Sequence, residues 1–321
     1  MLIIVEDKIP YIQGLLEPYA DVMYLPPEHI TPSAVKDADA LLVRTRTRCD
    51  ERLLAGSRVK FIGTATIGTD HIDMDYCHNH GIAVYNAPGC NAPAVAQWVL
   101  ATIAYWMDAC DIEEATQLKL GVVGFGHVGS IVCCWATLLG FDVVTNDPPL
   151  GLYDDLSDCD IITFHTPLTR DGQWPTWHMC DRDLLERASS CRLLLNAARG
   201  GVCDEQALLQ WDGDVAIDCW ENEPAINEAL LEKAFVATPH IAGYSIQGKQ
   251  RGTAMIVEAL NEHFGFKARV SMPSASPIGN VDAPLSLIAA SYNPLMETAI
   301  LRRDASRFEY LRNHYALRPE V

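Results

Sequence analysis

The sequence predicts an α/β protein: two doubly wound, parallel-sheet domains followed by a short C-terminal helical segment. Three observations predict it. Short apolar runs of strand character alternate with helical spacing through residues 2–85. A strand, a glycine turn, a helix and a second strand succeed one another in residues 118–147. Four more strand-like runs follow, and each ends in polar or charged residues. With 321 residues and 49% hydrophobic content, the chain is long enough for two domains with large cores.

In order, residues 2–5 read as a strand, 10–19 as a helix, and 39–43, 61–66 and 82–85 as three more strands. Pro88, Gly89 and Pro93 break this pattern. A long apolar helix over residues 94–108 then reads as the crossing between domains. After the second set of strands, Met255, Ile256, Ala259, Leu260 and Phe264 mark a helix over 245–264 that returns to the first domain. Residues 269–284 are rich in Pro, Ser and Gly and read as a linker. Residues 285–321 can form two helices, too little for a free-standing domain. The division expected is residues 1–90 with 245–268, residues 91–244, and a C-terminal linker and helical segment over 269–321.

The most informative stretch is 118–147. Residues 118–123 read as a buried strand, and Gly124-Phe125-Gly126-His127-Val128-Gly129 follows at once. Val128, Ile131, Val132, Trp135, Leu138 and Leu139 recur at helical spacing until Gly140. A second strand over 141–146 closes at Asp147. Gly124 permits the tight turn, Gly126 lets backbone amides approach a pyrophosphate, and Gly129 lets helix and strand pack closely. The helix N-terminus offers free N–H groups and partial positive charge to that anion. Asp147 lies 18 residues past Gly129, near the roughly 20 expected of a carboxylate that grips the ribose hydroxyls. These residues, His127 and Val128 among them, form a candidate dinucleotide site. The bland alternative is a crossover with glycine for packing alone. Asp147 favours NAD over NADP, because a 2′-phosphate would meet its carboxylate and no Arg follows it directly.

The later strand-like runs end at His165-Thr166-Pro167, at Asn196 and Arg199, at Asp218 with Glu221 and Glu223, and at Pro239-His240. In open parallel sheets, ligands bind outside the carboxyl ends of the strands. Arg199, Glu223 and His240 are therefore expected to converge on one cleft. Together they suit oxidation of a 2-hydroxy acid by hydride transfer from C2 to a nicotinamide. His240 fits the base, since an imidazole titrates near working pH. Glu223 can hold the ring by its other nitrogen, and Arg199 can clamp the substrate carboxylate. Asp218 reads as facing the nicotinamide carboxamide. Each residue also has a bland reading, as a structural histidine, a helix-capping arginine or a solvated turn glutamate.

Net charge −18 and pI near 4.8 argue against nucleic acid or an anionic membrane as partner. No apolar run reaches the ~18 residues of a membrane span. Residues 2–5 are followed at once by Glu6 and Asp7, so the N-terminus does not read as a secretory signal. The eleven cysteines contain no CxxC and are odd in number. They read as reduced, cytoplasmic thiols. His71, His78 and His80 match no common ligand spacing, and no metal is expected. Arg44, Arg46 and Arg48 point the same way if the chain stays extended past the strand at 39–43, which would make a local anion site for a phosphorylated substrate. The alternative is a solvated basic face.

GFGHVG, FHTPL (164–168), NAARGG (196–201), DCWENEP (218–224) and TPHIAGY (238–244) together resemble the D-isomer-specific 2-hydroxyacid dehydrogenases. The resemblance is nearly continuous to about residue 265. GTATIGTDHID (63–73), APGCNAPAVAQWV (87–99) and HIAGYSIQGKQRGT (240–253) narrow it to members acting on a small phosphorylated hydroxy acid. Oxidation of glycerate or 3-phosphoglycerate, and an NAD-sensing binding protein without turnover, are the competing readings. The resemblance implies a flavodoxin-like substrate domain, a Rossmann NAD domain and a homodimer. It implies Arg199 and Glu223 as catalytic and His240 as the acid/base. It implies Asp147, Thr166, Asp218 and Gly243 as NAD contacts, and Thr45, Thr66 and Tyr244 as substrate contacts. Position 45 usually holds Ser in such members, and Thr45 keeps the hydroxyl. Such members usually carry a longer C-terminal dimerisation domain, of which 285–321 resembles pieces.

Overall fold

The computed structural model describes residues 1–271 and 285–321, in two compact units. One unit comprises Met1–Asn91 and Ile246–Ser274, the other Ala92–Ser245 and Ala275–Val321. Of the expected linker, residues 272–284 lie outside the described residues.

The first unit holds a five-stranded parallel sheet of order β2-β1-β3-β4-β5. The strands are β1 (Leu2–Glu6), β2 (Asp21–Leu25), β3 (Ala40–Val43), β4 (Phe61–Thr64) and β5 (Ala83–Tyr85). β3 and β4 are buried along their whole length, which is why they read as unbroken apolar runs. The helix Ile246–Phe264 lays Ile256, Val257 and Leu260 on one face of this sheet. Each such side chain, fully buried, contributes about 1.5–3 kcal/mol. Gly63 of β4 admits this helix, since a Cβ there would lie 2.8 Å from Leu42 and 3.4 Å from Ile256.

Residues 10–19 do not form the expected helix; they are a series of turns. Ile12 and Leu16 are both buried, and their four-residue spacing imitates a helix face. The backbone refuses it: Tyr11 and Gly14 take left-handed φ of 61° and 81°. The strand β2, at the sheet edge with half-exposed residues, carries no unbroken apolar run and was not anticipated.

The second unit holds a seven-stranded sheet of order β12-β11-β10-β9-β6-β7-β8. The strands are β6 (Lys119–Val123), β7 (Asp142–Asp147), β8 (Leu152–Tyr153), β9 (Ile161–Phe164), β10 (Leu193–Asn196), β11 (Asp214–Ile217) and β12 (Val236–Ala237). All pair in parallel except the short β8, antiparallel to β7. The winding reverses beside β6, so the crevice between the ends of β6 and β9 is the switch point where such sheets bind ligands. The helix Ala92–Ala109 packs in this unit's core, and its buried indoles find polar partners. Trp98 Nε1 donates to Thr238 Oγ1 at 3.1 Å, and Trp106 Nε1 to Asp214 Oδ2 at 2.8 Å.

Residues 285–321 form three α-helices, Leu285–Ser291, Pro294–Arg303 and Phe308–Asn313, instead of two. Asp304 makes the extra break: it leaves helical geometry at φ −163° and accepts from Ser306 N. Ile288, Leu301 and Phe308 are buried in the second unit's core clusters, and Thr298 Oγ1 accepts from Ala237 N of β12 at 3.0 Å. All eleven cysteines are free. No described helix is long and apolar enough to cross a membrane.

Candidate active site

The glycine turn is built by close approach. Gly124 takes φ +92°, and a Cβ on it would sit 2.9 Å from the His165 carbonyl carbon and 3.1 Å from Thr166 Cγ2. Thr166 is thus set beside the turn. A Cβ on Gly129 would lie 1.9 Å from Gly124 O, so helix and turn can touch only through glycine. At Gly126 a Cβ would meet nothing within 4 Å. Gly126 caps the helix His127–Leu138 without a side-chain acceptor, so the first-turn amides keep open space before them. His127 is exposed, and Val128 packs against the core. Asp147, at the end of β7, accepts from Phe125 N at 2.7 Å through Oδ2, which ties the acid to the turn. These residues fit a dinucleotide: amides at a helix N-terminus for the pyrophosphate, and a carboxylate alongside for a ribose.

Beyond β12 the chain turns sharply at His240, which takes φ 55°. Asp218, after β11, holds this loop. Its backbone oxygen accepts from His240 N at 2.9 Å. Its carboxylate, fully buried, accepts from Thr238 Oγ1 at 2.6 Å, Ile241 N at 2.7 Å and Ala242 N at 3.0 Å. Asp218 therefore clamps the chain on both sides of His240, a role that its position at a strand end did not disclose. Burial pushes its carboxyl above the usual range, against the His240 charge and these three donors. Gly243 and Tyr244 complete the loop.

His240 Nδ1 lies 2.8 Å from Glu223 Oε2 and 3.0 Å from Oε1. A carboxylate there requires the proton on Nδ1 and leaves Nε2 as the acceptor. Glu223 Oε1 also accepts from Trp220 N at 2.9 Å, and Oε2 faces Arg312 Nη1 at 3.4 Å. Burial pushes the Glu223 carboxyl up, yet the His240 bond and charge, the Trp220 N–H and Arg312 together bring it below the usual value.

Arg199 follows β10 in a loop tied by Asn196, which donates to Arg199 O at 3.0 Å and accepts from Ala198 N at 3.1 Å. Its Nη1 donates to Ala198 O at 2.8 Å. Gly200 lets this loop meet the Glu223 loop, since a Cβ there would fall 1.8 Å from Trp220 O. The Cys219 thiol, 3.5 Å from Ala198 O, sits among these groups. Burial pushes it well above its usual range, and it senses Asp218, Glu223, Arg199 and Arg312 together. The structure thus brings Arg199, Glu223 and His240 into one neighbourhood.

In the first unit, Thr66 Oγ1 lies 2.7 Å from Thr64 Oγ1 and donates to Gly68 O at 3.1 Å; His71 Nε2 meets Thr64 Oγ1 at 3.1 Å. The chain does not stay extended past β3. Residues 45–47 turn, with Thr47 N bonded to Arg44 O at 3.3 Å, so Arg44, Arg46 and Arg48 do not align at period two. Arg48 pairs with Asp50 at 3.2 Å, and Arg44 Nη1 donates to Lys8 O at 3.2 Å. Thr45 and Arg46 are exposed in the turn.

Sequence reasoning missed Arg312, which stands 89 residues from Glu223. It also missed a second imidazole–carboxylate pair, His178 Nε2 to Glu221 Oε1 at 2.9 Å, with Asp204 close by. No local spacing announces either.

The chain belongs to the D-isomer specific 2-hydroxyacid dehydrogenases: residues 3–265 match that family's catalytic domain. Its relatives within the family include erythronate-4-phosphate dehydrogenases. The protein of Bacteroides fragilis strain YCH46 is 41% identical over all of this chain and 97% of its own length. That of Marinobacter nauticus is 38% identical over all of this chain and 93% of its own. The fold is that of the D-lactate dehydrogenase of Aquifex aeolicus, solved with NAD and lactic acid (TM-score 0.64, 23% identity, 83% of this chain and 96% of that one). It is also that of the NAD-bound 3-phosphoglycerate dehydrogenase of Entamoeba histolytica (TM-score 0.66, 23% identity, 84% and 98%).

Proposed function

We propose that this protein oxidises 4-phospho-D-erythronate at C2 with NAD, giving 2-oxo-3-hydroxy-4-phosphobutanoate on a route to pyridoxal 5′-phosphate. The observation that carries this reading is the His240–Glu223 pair at 2.8 Å, anchored by Asp218, in a chain aligned end to end with erythronate-4-phosphate dehydrogenases. When bound, NAD supplies the hydride acceptor. His240 Nε2 takes the C2 hydroxyl proton, and Glu223 stabilises the imidazolium that results. Arg199 orients the substrate carboxylate and polarises the C2 oxygen. Thr45, Thr66 and Tyr244 contact the substrate, and Arg44 or Arg46 takes its phosphate.

Gly124, Gly126, His127, Val128 and Gly129 cradle the pyrophosphate, and Asp147 takes the ribose. Thr166 and Gly243 line the cofactor, while Asp218 reaches it only with what three intramolecular donors leave of its carboxylate. We place the protein in the cytoplasm as a homodimer. Support for the dimer comes from Leu287, Met296, Ile300 and Tyr310, large apolar side chains exposed on the C-terminal helices.

The test is a substrate panel of 4-phosphoerythronate, glycerate and 3-phosphoglycerate, with 2-oxo acids added to recycle retained NADH. Preferred turnover of 4-phosphoerythronate is expected. Equal or better turnover of 3-phosphoglycerate overturns the substrate, and NAD binding without reduction by any hydroxy acid favours a sensor. His240→Ala should lower kcat by about 10²–10⁴ and leave NAD binding intact.

A further inference from the structure

The helix Phe308–Asn313 carries Arg312 to the oxygen of Glu223 that also meets His240: Oε2 lies 3.4 Å from Arg312 Nη1 and 2.8 Å from His240 Nδ1. The Arg312 side chain is 27% exposed. Burial would lower its pKa, but Tyr244, whose side chain it bonds, and Glu223 carry it above the ordinary value. The chain on either side is fastened down. Phe308 is buried in the core. Arg318 donates to Ile241 O at 3.1 Å, Tyr244 O at 3.2 Å, Ala94 O at 3.0 Å and Ala242 O. Ser245 Oγ donates to Glu320 Oε1 at 2.6 Å. The C-terminal segment is thus sewn to the loop that carries His240, and Arg312 is held where Glu223 needs a partner.

We infer that Arg312 is a positioning residue of the hydride-transfer site: it fixes Glu223 and sets how strongly that carboxylate draws a proton onto His240. The inference rests on the proposed dehydrogenase reading. The charged and titratable groups around the pair are Asp218 and Cys219 after β11, Arg199 after β10, Tyr244 beyond His240, and Arg312. Glu223 sets its negative charge 2.8 Å from the His240 ring, and Arg312 sets a positive charge 3.4 Å from the same Glu223 oxygen. Removing the guanidinium leaves the Glu223 charge undivided, so His240 becomes the stronger base. In the oxidation direction, where neutral His240 is the active form, the limb of kcat/KM moves to higher pH.

The test compares Arg312→Ala, Arg312→Gln and Arg312→Lys by two readouts: the NMR titration of the His240 ring in protein without substrate, and the pH profile of 4-phosphoerythronate oxidation. The Ala and Gln variants should raise the His240 midpoint by roughly half a pH unit or more, the effect of one charge at about 6 Å in a water-like medium. They should lower kcat about tenfold, with the NAD Kd unchanged. The Lys variant should keep the wild-type midpoint. An unmoved His240 midpoint in Ala or Gln variants that bind NAD normally overturns the inference, as does an equal loss of kcat in all three without any shift in titration. If Arg312→Ala does not fold, Gln and Lys carry the comparison. Should wild type oxidise no hydroxy acid, the functional reading fails, while the titration still decides the role of Arg312 on His240.

Discussion

A side chain on Gly200 would place its Cβ 1.8 Å from the carbonyl oxygen of Trp220. The two backbones touch, and through that contact the Arg199 loop lies against the Glu223 loop. The obstacle is main chain, which cannot rotate away. Gly200→Ala should therefore part the loops, with a stability loss on the order of 3 kcal/mol or more and a fall in kcat/KM. Urea unfolding and steady-state rates measure both. A variant within about 1 kcal/mol of wild type and fully active would show that the approach is not needed.

Two glycines of the turn should behave oppositely. Gly126 faces open space, and Gly129 faces Gly124 O at 1.9 Å. Gly126→Ala should unfold within about 0.5 kcal/mol of wild type yet bind NAD about tenfold or more weakly, because its methyl enters the space before the helix amides. Gly129→Ala should lose several kcal/mol of stability, as an overpacked contact of backbone on backbone does. Denaturation and NAD titration of the pair separate the roles. Weakened stability in Gly126→Ala with unchanged NAD affinity would reverse the assignment.

What was legible in the sequence was local. GFGHVG could be read because its spacing alone places a turn, a helix N-terminus and a following strand. β9, β10 and β11 could be read because both faces are buried, leaving apolar runs with polar ends. Residues 10–19 misled because Ile12 and Leu16 share a helical spacing while Tyr11 and Gly14 take left-handed backbone that periodicity does not register. Arg44, Arg46 and Arg48 misled because the period-two argument needs an extended chain, and Thr47 N closes a turn there. Asp218 and Arg312 owe their roles to contacts 20 to 89 residues away, and no window of sequence contains them.

The phosphate should be read by Arg44 or Arg46, at the turn that follows β3. Arg44 bonds Glu6 Oε2 through its backbone N–H at 2.9 Å and Lys8 O through Nη1 at 3.2 Å, while its buried Nε meets no partner among the described residues. Loss of the arginine that holds the phosphate, in Arg44→Ala or Arg46→Ala, should lower kcat/KM on 4-phosphoerythronate more than tenfold, with little loss on unphosphorylated glycerate. If both Ala variants stay within about twofold, under ~0.5 kcal/mol, neither arginine binds the phosphate.

His165 gives the fold a pH dependence of its own. Its Nδ1 is buried without a partner, and its Nε2 meets Thr163 Oγ1 at 3.1 Å. Burial pushes its pKa down to about 3. In the unfolded chain the ring takes a proton below about pH 6.5, while in the folded protein it stays neutral. The unfolded state then binds more protons, so stability falls as pH falls. The contribution is complete above pH 6.5 and is lost progressively down to about pH 3, at up to ~1.4 kcal/mol per pH unit. His165→Gln removes the titrating group and should flatten that part of the slope between pH 4 and 6.5. Urea midpoints measured across the range for both proteins test this. Parallel slopes in wild type and variant would mean that the His165 ring is protonated in the folded state, and that its burial does not oppose the charge.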